Sequence, residues 1–574
     1  MKKSTNTRNQ SLLQLGLFLG ILVFVNILAS AFYGHIDLTE DKRFTLTPAT
    51  KQQMKNLDDV VFVESFLEGE FPAGFKRLQN ALRDLLDDLN SMSGGNVSYQ
   101  FTNPLDGSQE QQAALMEELG KVGILPVNLQ VKTDDGYSEK FIYPSVIVTY
   151  KGRSMPVNLL ENNVASLSPG QDQVVLNNSV SLLEYKLTNA IKKLKSLHKS
   201  KIAITEGHGE LQPYETARFE AALKQYYDVG RMNLDSFTMV DAAQYRLLVI
   251  PKPRTAFSDR DKFKIDQYVM NGGKVLWLID RLSADLDSLR IAGEYVPYDY
   301  PLNLEDILFK YGVRIEPNMV QDLRSSRIPL QVGKVGNAPQ FDLRPWPYHP
   351  IILPEVDNAH PIVKNLDGID FQFVSTIDTI KTKTPVKKTV LLTTSDKSRM
   401  QYAPTRLNFD IVSEAPPVER FNKPHQPVAV LLEGVFPSLY ENRVTENMNK
   451  MLTEIGQPFR AESKPTRMMV VADGDVARNA VNRAENKIQP LGYNPYERYT
   501  FANKDFLLNA VEYLLDTDGI IASRSKEVRL RLLNKTKARE EKTKWQLVNI
   551  VLPLVLLGMF GGVFTFLRRR RYAS

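Results

Sequence analysis

Residues 201–210, KIAITEGHGE, run an alternating apolar stretch into three ionisable side chains, Glu206, His208 and Glu210, spaced by glycines. An imidazole flanked by carboxylates is the equipment of general acid/base chemistry or of a metal site. A second acidic turn, Asp473-Gly474-Asp475, closes the apolar run RMMVVA. Open parallel sheets present such turns at the carboxyl ends of their strands, so if the two strands are neighbours, His208 and the carboxylates of Glu206, Glu210, Asp473 and Asp475 share a crevice. The same residues have plainer uses. Glycines permit a tight turn, Asp475 suits the N-cap of a helix beginning at Val476, and a single histidine makes a poor zinc site. The reading carried forward is ligand or partner recognition at these five residues, with no catalytic residue, no metal and no cofactor. The alternatives are a membrane-tethered hydrolase or carbohydrate-active enzyme using Glu206, His208 and Asp473, or an envelope scaffold.

Other chemistries lack their residues. There is no cysteine, hence no disulfide, thiolate metal site or cysteine nucleophile. No phosphate-binding Gly-x-x-x-x-Gly-Lys-Ser/Thr, Gly-x-Ser-x-Gly, His-Glu-x-x-His or Gly-x-Gly-x-x-Gly occurs. His35, His198, His349, His360 and His425 are scattered without ligand spacing. The stretch Pro345-Trp346-Pro347-Tyr348-His349-Pro350 reads as a stiff loop, either a recognition surface through Trp346 and Tyr348 or a loop packed on its own domain.

The elements that would position these residues follow from periodicity. A strand at 60–66 and a helix with Phe75, Leu78, Ala81, Leu82, Leu85, Leu86 and Leu89 at helical spacing lead to the strand VSYQF. A helix at 110–120, three β-rich runs at 126–132, 141–149 and 152–158, and a helix at 180–197 complete an order close to a thioredoxin-like layout. Without the paired cysteines such a domain is a binding module. From residue 201 the alternation lengthens: strand, helix 214–227, strand YRLLVIP, helix 258–271, strand KVLWLID. Such units build a doubly wound parallel sheet. Residues 282–430 are proline-rich and less regular, and the sheet resumes at 467–479.

Two apolar segments of 22 residues, 12–33 and 546–567, each exceed the ~20 residues a helix needs to cross a bilayer. The first also ends in Ala29-Ser30-Ala31, a small-residue pattern of signal cleavage, but its apolar run is longer than a signal peptide uses. Seven basic side chains, Lys2, Lys3, Arg8 and Arg568 to Arg571, flank the segments and exceed the chain's net charge of +6. The body is therefore slightly acidic and offers no field for nucleic acid, while the basic ends predict cytoplasmic termini and an extracytoplasmic body. The expected organisation is a basic tail 1–11, transmembrane helix 12–33, linker 34–58, thioredoxin-like domain 59–198, larger α/β domain 199–520, charged stalk 521–544, transmembrane helix 545–567 and arginine tail 568–574. Asn549, Pro553, Gly558, Gly561 and Gly562 give the second helix small and polar positions for packing on a membrane partner. The basic stalk suits lipid headgroups, a partner subunit or water equally.

The segments HIDLTEDKRFTLTPATKQQMKNLDD, ITEGHGE, RPWPYHP, HPIVKNLDGI, VVADGDVARN and EVRLRLLNKTKAREEKTKWQLVNIVLPLVLL resemble the GldG family of gliding-motility-associated ABC-transporter auxiliary proteins of Bacteroidetes. The resemblance runs nearly end to end. It implies a non-catalytic auxiliary subunit in the inner membrane, bulk in the periplasm, working with an ABC permease subunit and a separate cytoplasmic ATPase, with two copies per complex. It further implies contact with membrane lipid and with envelope motility or secretion proteins, and a second domain similar to glutamine-amidotransferase-like α/β domains that lack the catalytic cysteine. It supplies no catalytic residue.

Overall fold

The computed structural model describes residues 4–31, 45–133, 136–161, 172–196, 199–336, 338–355, 360–412, 417–482, 485, 487–525 and 535–572. Lys2, Lys3, His35, His198 and much of the stalk, including Arg529 and Arg531, lie outside them. Residues 1–526 form one compact unit and 527–574 a second.

The first unit begins with helix α1 (Ser4–Ala31) and a short helix α2 (Pro48–Lys55). Strand β1 (Val61–Ser65), helix α3 (Ala73–Met92) and strand β2 (Val97–Phe101) form a βαβ unit whose strands pair in parallel. Phe75, Leu78, Leu82, Leu86 and Leu89 of α3 are all buried, as their spacing predicts. Helix α4 (Gln109–Lys121) starts with a capping box in which Ser108 and Gln111 exchange hydrogen bonds. Four strands follow instead of three: β3 (Val127–Thr133), β4 (Gly136–Ile142), β5 (Ser145–Tyr150) and β6 (Arg153–Asn158). The expected run 141–149 is split by Pro144, which has no N–H to give to a ladder. β3 and β4 pair as a separate hairpin, and the main sheet has the order β2-β1-β5-β6 with β5 antiparallel to both neighbours. Helix α5 (Asp172–Lys195) covers this sheet and packs against α3.

The second region is built on a seven-stranded sheet. Strands β7 (Lys201–Glu206), β8 (Asp228–Asn233), β9 (Tyr245–Pro251), β10 (Lys274–Leu278) and Thr466–Val471 run parallel, in the spatial order β8-β7-β9-β10-(466–471). The continuous apolar runs of β9, β10 and Thr466–Val471 are buried, as befits strands covered on both faces. Helices α6 (Ala217–Lys224) and α7 (Asp259–Met270) connect the early strands. The sheet is mixed, which corrects the expectation of a purely parallel one. Pro427–Gly434 lies antiparallel to Thr466–Val471, and Val386–Thr393 antiparallel to it at the edge. Val386–Thr393 comes from the proline-rich insertion and Pro427–Gly434 straddles its end.

The same insertion contains a second correction. Residues 343–355, expected as a loop, lie largely in the strand Ala338–Ile352, which pairs with Ser325–Val335. Its prolines are tolerated because the pairing carries register shifts and the sheet is only three strands wide. Trp346 and Tyr348 are 0% and 3% exposed and sit in a small core with Leu289, Met319, Ile328 and Leu407. They therefore offer no recognition surface.

In the second unit, Lys542–Tyr572 is one 31-residue helix that accommodates Pro553. Its segment Lys542–Arg570 is the one helix among the described residues long and apolar enough to cross a membrane. The apolar stretch in α1 described at side-chain level, Leu13–Asn26, falls short of that length, although α1 itself has 28 residues.

Candidate functional site

The sheet order separates the two turns singled out in the sequence. Strands β9 and β10 stand between β7 and Thr466–Val471. At ~4.8 Å per strand, the His208 and Asp473 turns start about 14 Å apart, so they form two clusters and no common crevice.

The first cluster follows β7. Gly207 and Gly209 adopt φ of 111° and 75°, conformations that favour glycine, and so turn His208 back over the sheet end. The imidazole stacks on Phe257 with ring centres 3.8 Å apart. Nδ1 lies 3.6 Å from Glu210 Oε1, and Nε2 lies 3.4 Å from Asp261 Oδ2. Glu210 also accepts the His208 backbone N–H at 2.6 Å. Asp261, on the first turn of α7, accepts from Ser258 Oγ at 2.6 Å and pairs with Lys264 at 3.0 Å. Burial opposes a charge on His208, but the two carboxylates outweigh it and hold its pKa above the ordinary 6.5. The pKa values of Glu210 and Asp261 are lowered: burial opposes this, but hydrogen bonds and the nearby cations prevail. Glu206 is half-buried at the strand end and is not part of this group. The arrangement is an imidazole set between two acids, with each ring nitrogen within 4 Å of a carboxylate oxygen.

The second cluster joins three strand ends. Lys252 follows β9, Asp280 follows β10, and Asp473 and Asp475 follow Thr466–Val471. Carboxylate oxygens of Asp280, Asp473 and Asp475 lie within 4.8 Å of one another, a spacing that could hold a metal ion. Lys252 occupies that role itself. Its ammonium is 2.7 Å from Asp280 and pairs with Asp475. Asp473 takes the N–H groups of Asp475 and Gln372, at 2.7 and 2.6 Å, one on each oxygen. Asp475 is therefore no N-cap: Gly474 holds that position before a 3₁₀ turn, and the Asp475 side chain turns to Lys252 and to Arg478. Burial, together with neighbouring carboxylates, pushes Asp280 and Asp473 above the usual range. Lys252 is raised, because Asp280 and Asp475 overcome the effect of burial. The donor set is thus committed internally, and a divalent cation fits poorly beside the ammonium.

Lys252, Asp280, Asp261 and Lys264 were missed from the sequence. Lys252 and Asp280 had a signal: each is the first charged residue after a buried apolar strand. Asp261 had none, since its helix reaches the site only through the packing of α7. His349 is buried, and burial takes its pKa down to about 3 against the pull of Asp475. In the C-terminal helix, a Cβ added at Gly558, Gly561 or Gly562 would meet nothing within 4 Å. Asn549 and Pro553 lie on the same exposed helix.

Fold and site together define a class: a mixed α/β protein with an apolar terminal helix, whose strand-end charges neutralise one another. The chain belongs to the ABC-type uncharacterized transport system auxiliary family, whose model matches residues 199–510. A domain of unknown function matches residues 40–149. An uncharacterized protein of Borreliella burgdorferi is 22% identical over 461 residues, covering 78% of this chain and 82% of that protein. Among solved structures, the mmIFT52 N-terminal domain matches 56% of this chain and 99% of its own, at 11% identity and a TM-score of 0.31. A ThuA-like protein from Parabacteroides merdae matches 59% and 94%, at 12% identity and a TM-score of 0.24. Scores this low carry no argument about fold or function.

Proposed function

We propose that this chain is a non-catalytic auxiliary subunit of an ABC-type transport complex, held in the inner membrane with its bulk in the periplasm. The observation that carries the reading is the Lys252 cluster: within the family-matched region, the place where an open α/β sheet would keep a ligand or catalytic site is filled by the protein's own ammonium. The helix Lys542–Tyr572 supplies an anchor, and the length of α1 supports a second span with both termini cytoplasmic. No phosphate-binding loop is present in the sequence, so energy comes from a separate ATPase through a permease, with Asn549, Pro553, Gly558, Gly561 and Gly562 as the packing face. Two copies per complex, lipid contact and a role in gliding motility or an associated envelope machinery complete the proposal. The mixed sheet β2-β1-β5-β6 supports a thioredoxin-like binding module in the first region.

The test is purification of the full-length chain in mild detergent, with assays for co-eluting membrane subunits and ATP turnover. A stable assembly whose turnover changes when residues 40–520 are deleted supports the proposal. A solitary protein without turnover overturns it.

A further inference from the structure

Two hydrophobic cores, one under each sheet, share the first unit, and the ionic contacts between them gather on α5. The ammonium of Lys193 lies 3.7 Å from the centre of the Tyr226 ring and 5.9 Å from that of Tyr227. It also pairs with Glu512 on the helix Asn503–Leu515. Glu512 accepts further hydrogen bonds from the Tyr185 hydroxyl and, at 3.1 Å, from the Asn189 amide. One turn away, Lys192 pairs with Asp516 at 2.8 Å and Asp518 at 3.0 Å. A cavity of about 130 Å³ remains beside these groups, closed on another side by Ile520 and Ile521.

The division of labour is uneven. Tyr226, Tyr227 and Glu512 all belong to the second region, and the cation comes from the first. Two aromatic faces and a carboxylate are what an ammonium group is recognised by, and their attraction grows as water is removed. Water is largely removed: the side chains of Lys193 and Glu512 are 14% and 16% exposed. Burial takes Lys193 down to about 7, with Lys192 adding to the shift, and takes Glu512 up to about 7, so the low-dielectric setting works against both charges and the direct pairing of the two side chains is the contact that offsets it. The residues after Glu512 lead through the turn Ile520–Ser525, where Arg524 stacks over Tyr185, towards the terminal helix.

We propose that Tyr226, Tyr227 and Glu512 form a primary-ammonium-binding box, occupied here by the chain's own Lys193, and that α5 is thereby a releasable latch between the two regions. When α5 withdraws, the box accepts an ammonium group from another molecule. The inference is independent of the transport reading, because box and latch are both properties of this chain alone.

The experiment uses the full-length protein in detergent and amide hydrogen exchange along α5, with n-butylammonium as the probe. Lys193→Ala is expected to raise exchange in α5 about tenfold or more, as the pair is broken. Millimolar n-butylammonium is expected to restore protection, whereas n-butanol of the same shape is not, and Glu512→Gln added to Lys193→Ala is expected to abolish the rescue. Unchanged exchange in Lys193→Ala, or equal rescue by butanol, overturns the proposal. If Lys193→Ala does not fold, Lys193→Met and Lys193→Arg decide. The proposal requires Arg to protect and Met, which fills the box without a charge, to fail; protection by Met as good as by Lys sinks it.

Discussion

The loops after β7 and after β9 solve one problem in two ways. Both put a buried cation between two carboxylates at the end of a parallel strand: His208 between Glu210 and Asp261, Lys252 between Asp280 and Asp475. The His208 cluster is the more local, with Glu210 two residues away and Asp261, brought in by the packing of α7, held independently by Ser258 and Lys264. The Lys252 cluster is global, drawing its acids from β10 and from the strand Thr466–Val471, some 220 residues further on. A local cluster can be weakened piecemeal. A global one ties the sheet's strand ends together and fails as a unit.

Breaking the global cluster should have the largest effect. Lys252→Met leaves Asp280 and Asp475 buried without their counter-charge and is expected to cost ~3–5 kcal/mol. Urea unfolding followed by tryptophan fluorescence, with Trp277 buried in the neighbouring strand β10, measures it. His208→Gln removes a slightly less buried group, and Asp261 keeps Lys264 and Ser258, so ~1–3 kcal/mol is expected in the same assay. If the two variants lose equal stability, the distinction between local and global clusters fails.

Gly474 sharpens the comparison by sterics alone. A Cβ there would come within 2.8 Å of the Lys252 Cα and closer still to its Cβ, atoms placed by a backbone at φ 52°. Gly474→Ala is expected to cost ~1–3 kcal/mol by overpacking. Gly209→Ala meets the Arg254 Cβ at 3.2 Å and adopts φ 75°, and should cost less, ~1–2 kcal/mol, because that approach is looser than the one at Gly474.

The smallest effect is a pH dependence that separates the two cations. The folded pKa of His208 is raised above 6.5, so its contribution is complete below pH 6.5 and is lost as pH rises through the folded value. Lys252 is raised above 10.5, so its contribution persists across the same range. The His208 contribution to stability should therefore decline as pH rises above 6.5, and His208→Gln should remove that part of the pH dependence. A slope unchanged by the substitution would mean that His208 is neutral in the folded protein.

How much of this was legible depends on how far each signal reaches along the chain. The helix α3 and the strands β7, β9 and β10 were readable, because periodicity and apolar runs are properties of neighbouring residues. The insertion was not. Pro345, Pro347 and Pro350 advertise a loop, but the strand Ala338–Ile352 forms because Ser325–Val335 supplies a partner whose register shifts absorb them. Trp346 and Tyr348 were readable either as a recognition surface or as a loop packed on its own domain, and nothing in PWPYHP announces the core that buries them. The strand-end acids were found, but not the Lys252 that neutralises them, since a lysine after a strand reads as solvated until the neighbouring strand ends are known.

The sequence by itself determined the inventory: no cysteine, no nucleotide-binding loop, an apolar helix at the carboxyl end, and acids placed directly after buried strands. Tertiary structure alone decided what the acids do. Strand order is set by packing among elements hundreds of residues apart. That order put β9 and β10 between His208 and Asp473, and delivered Lys252 to a place where three aspartates converge.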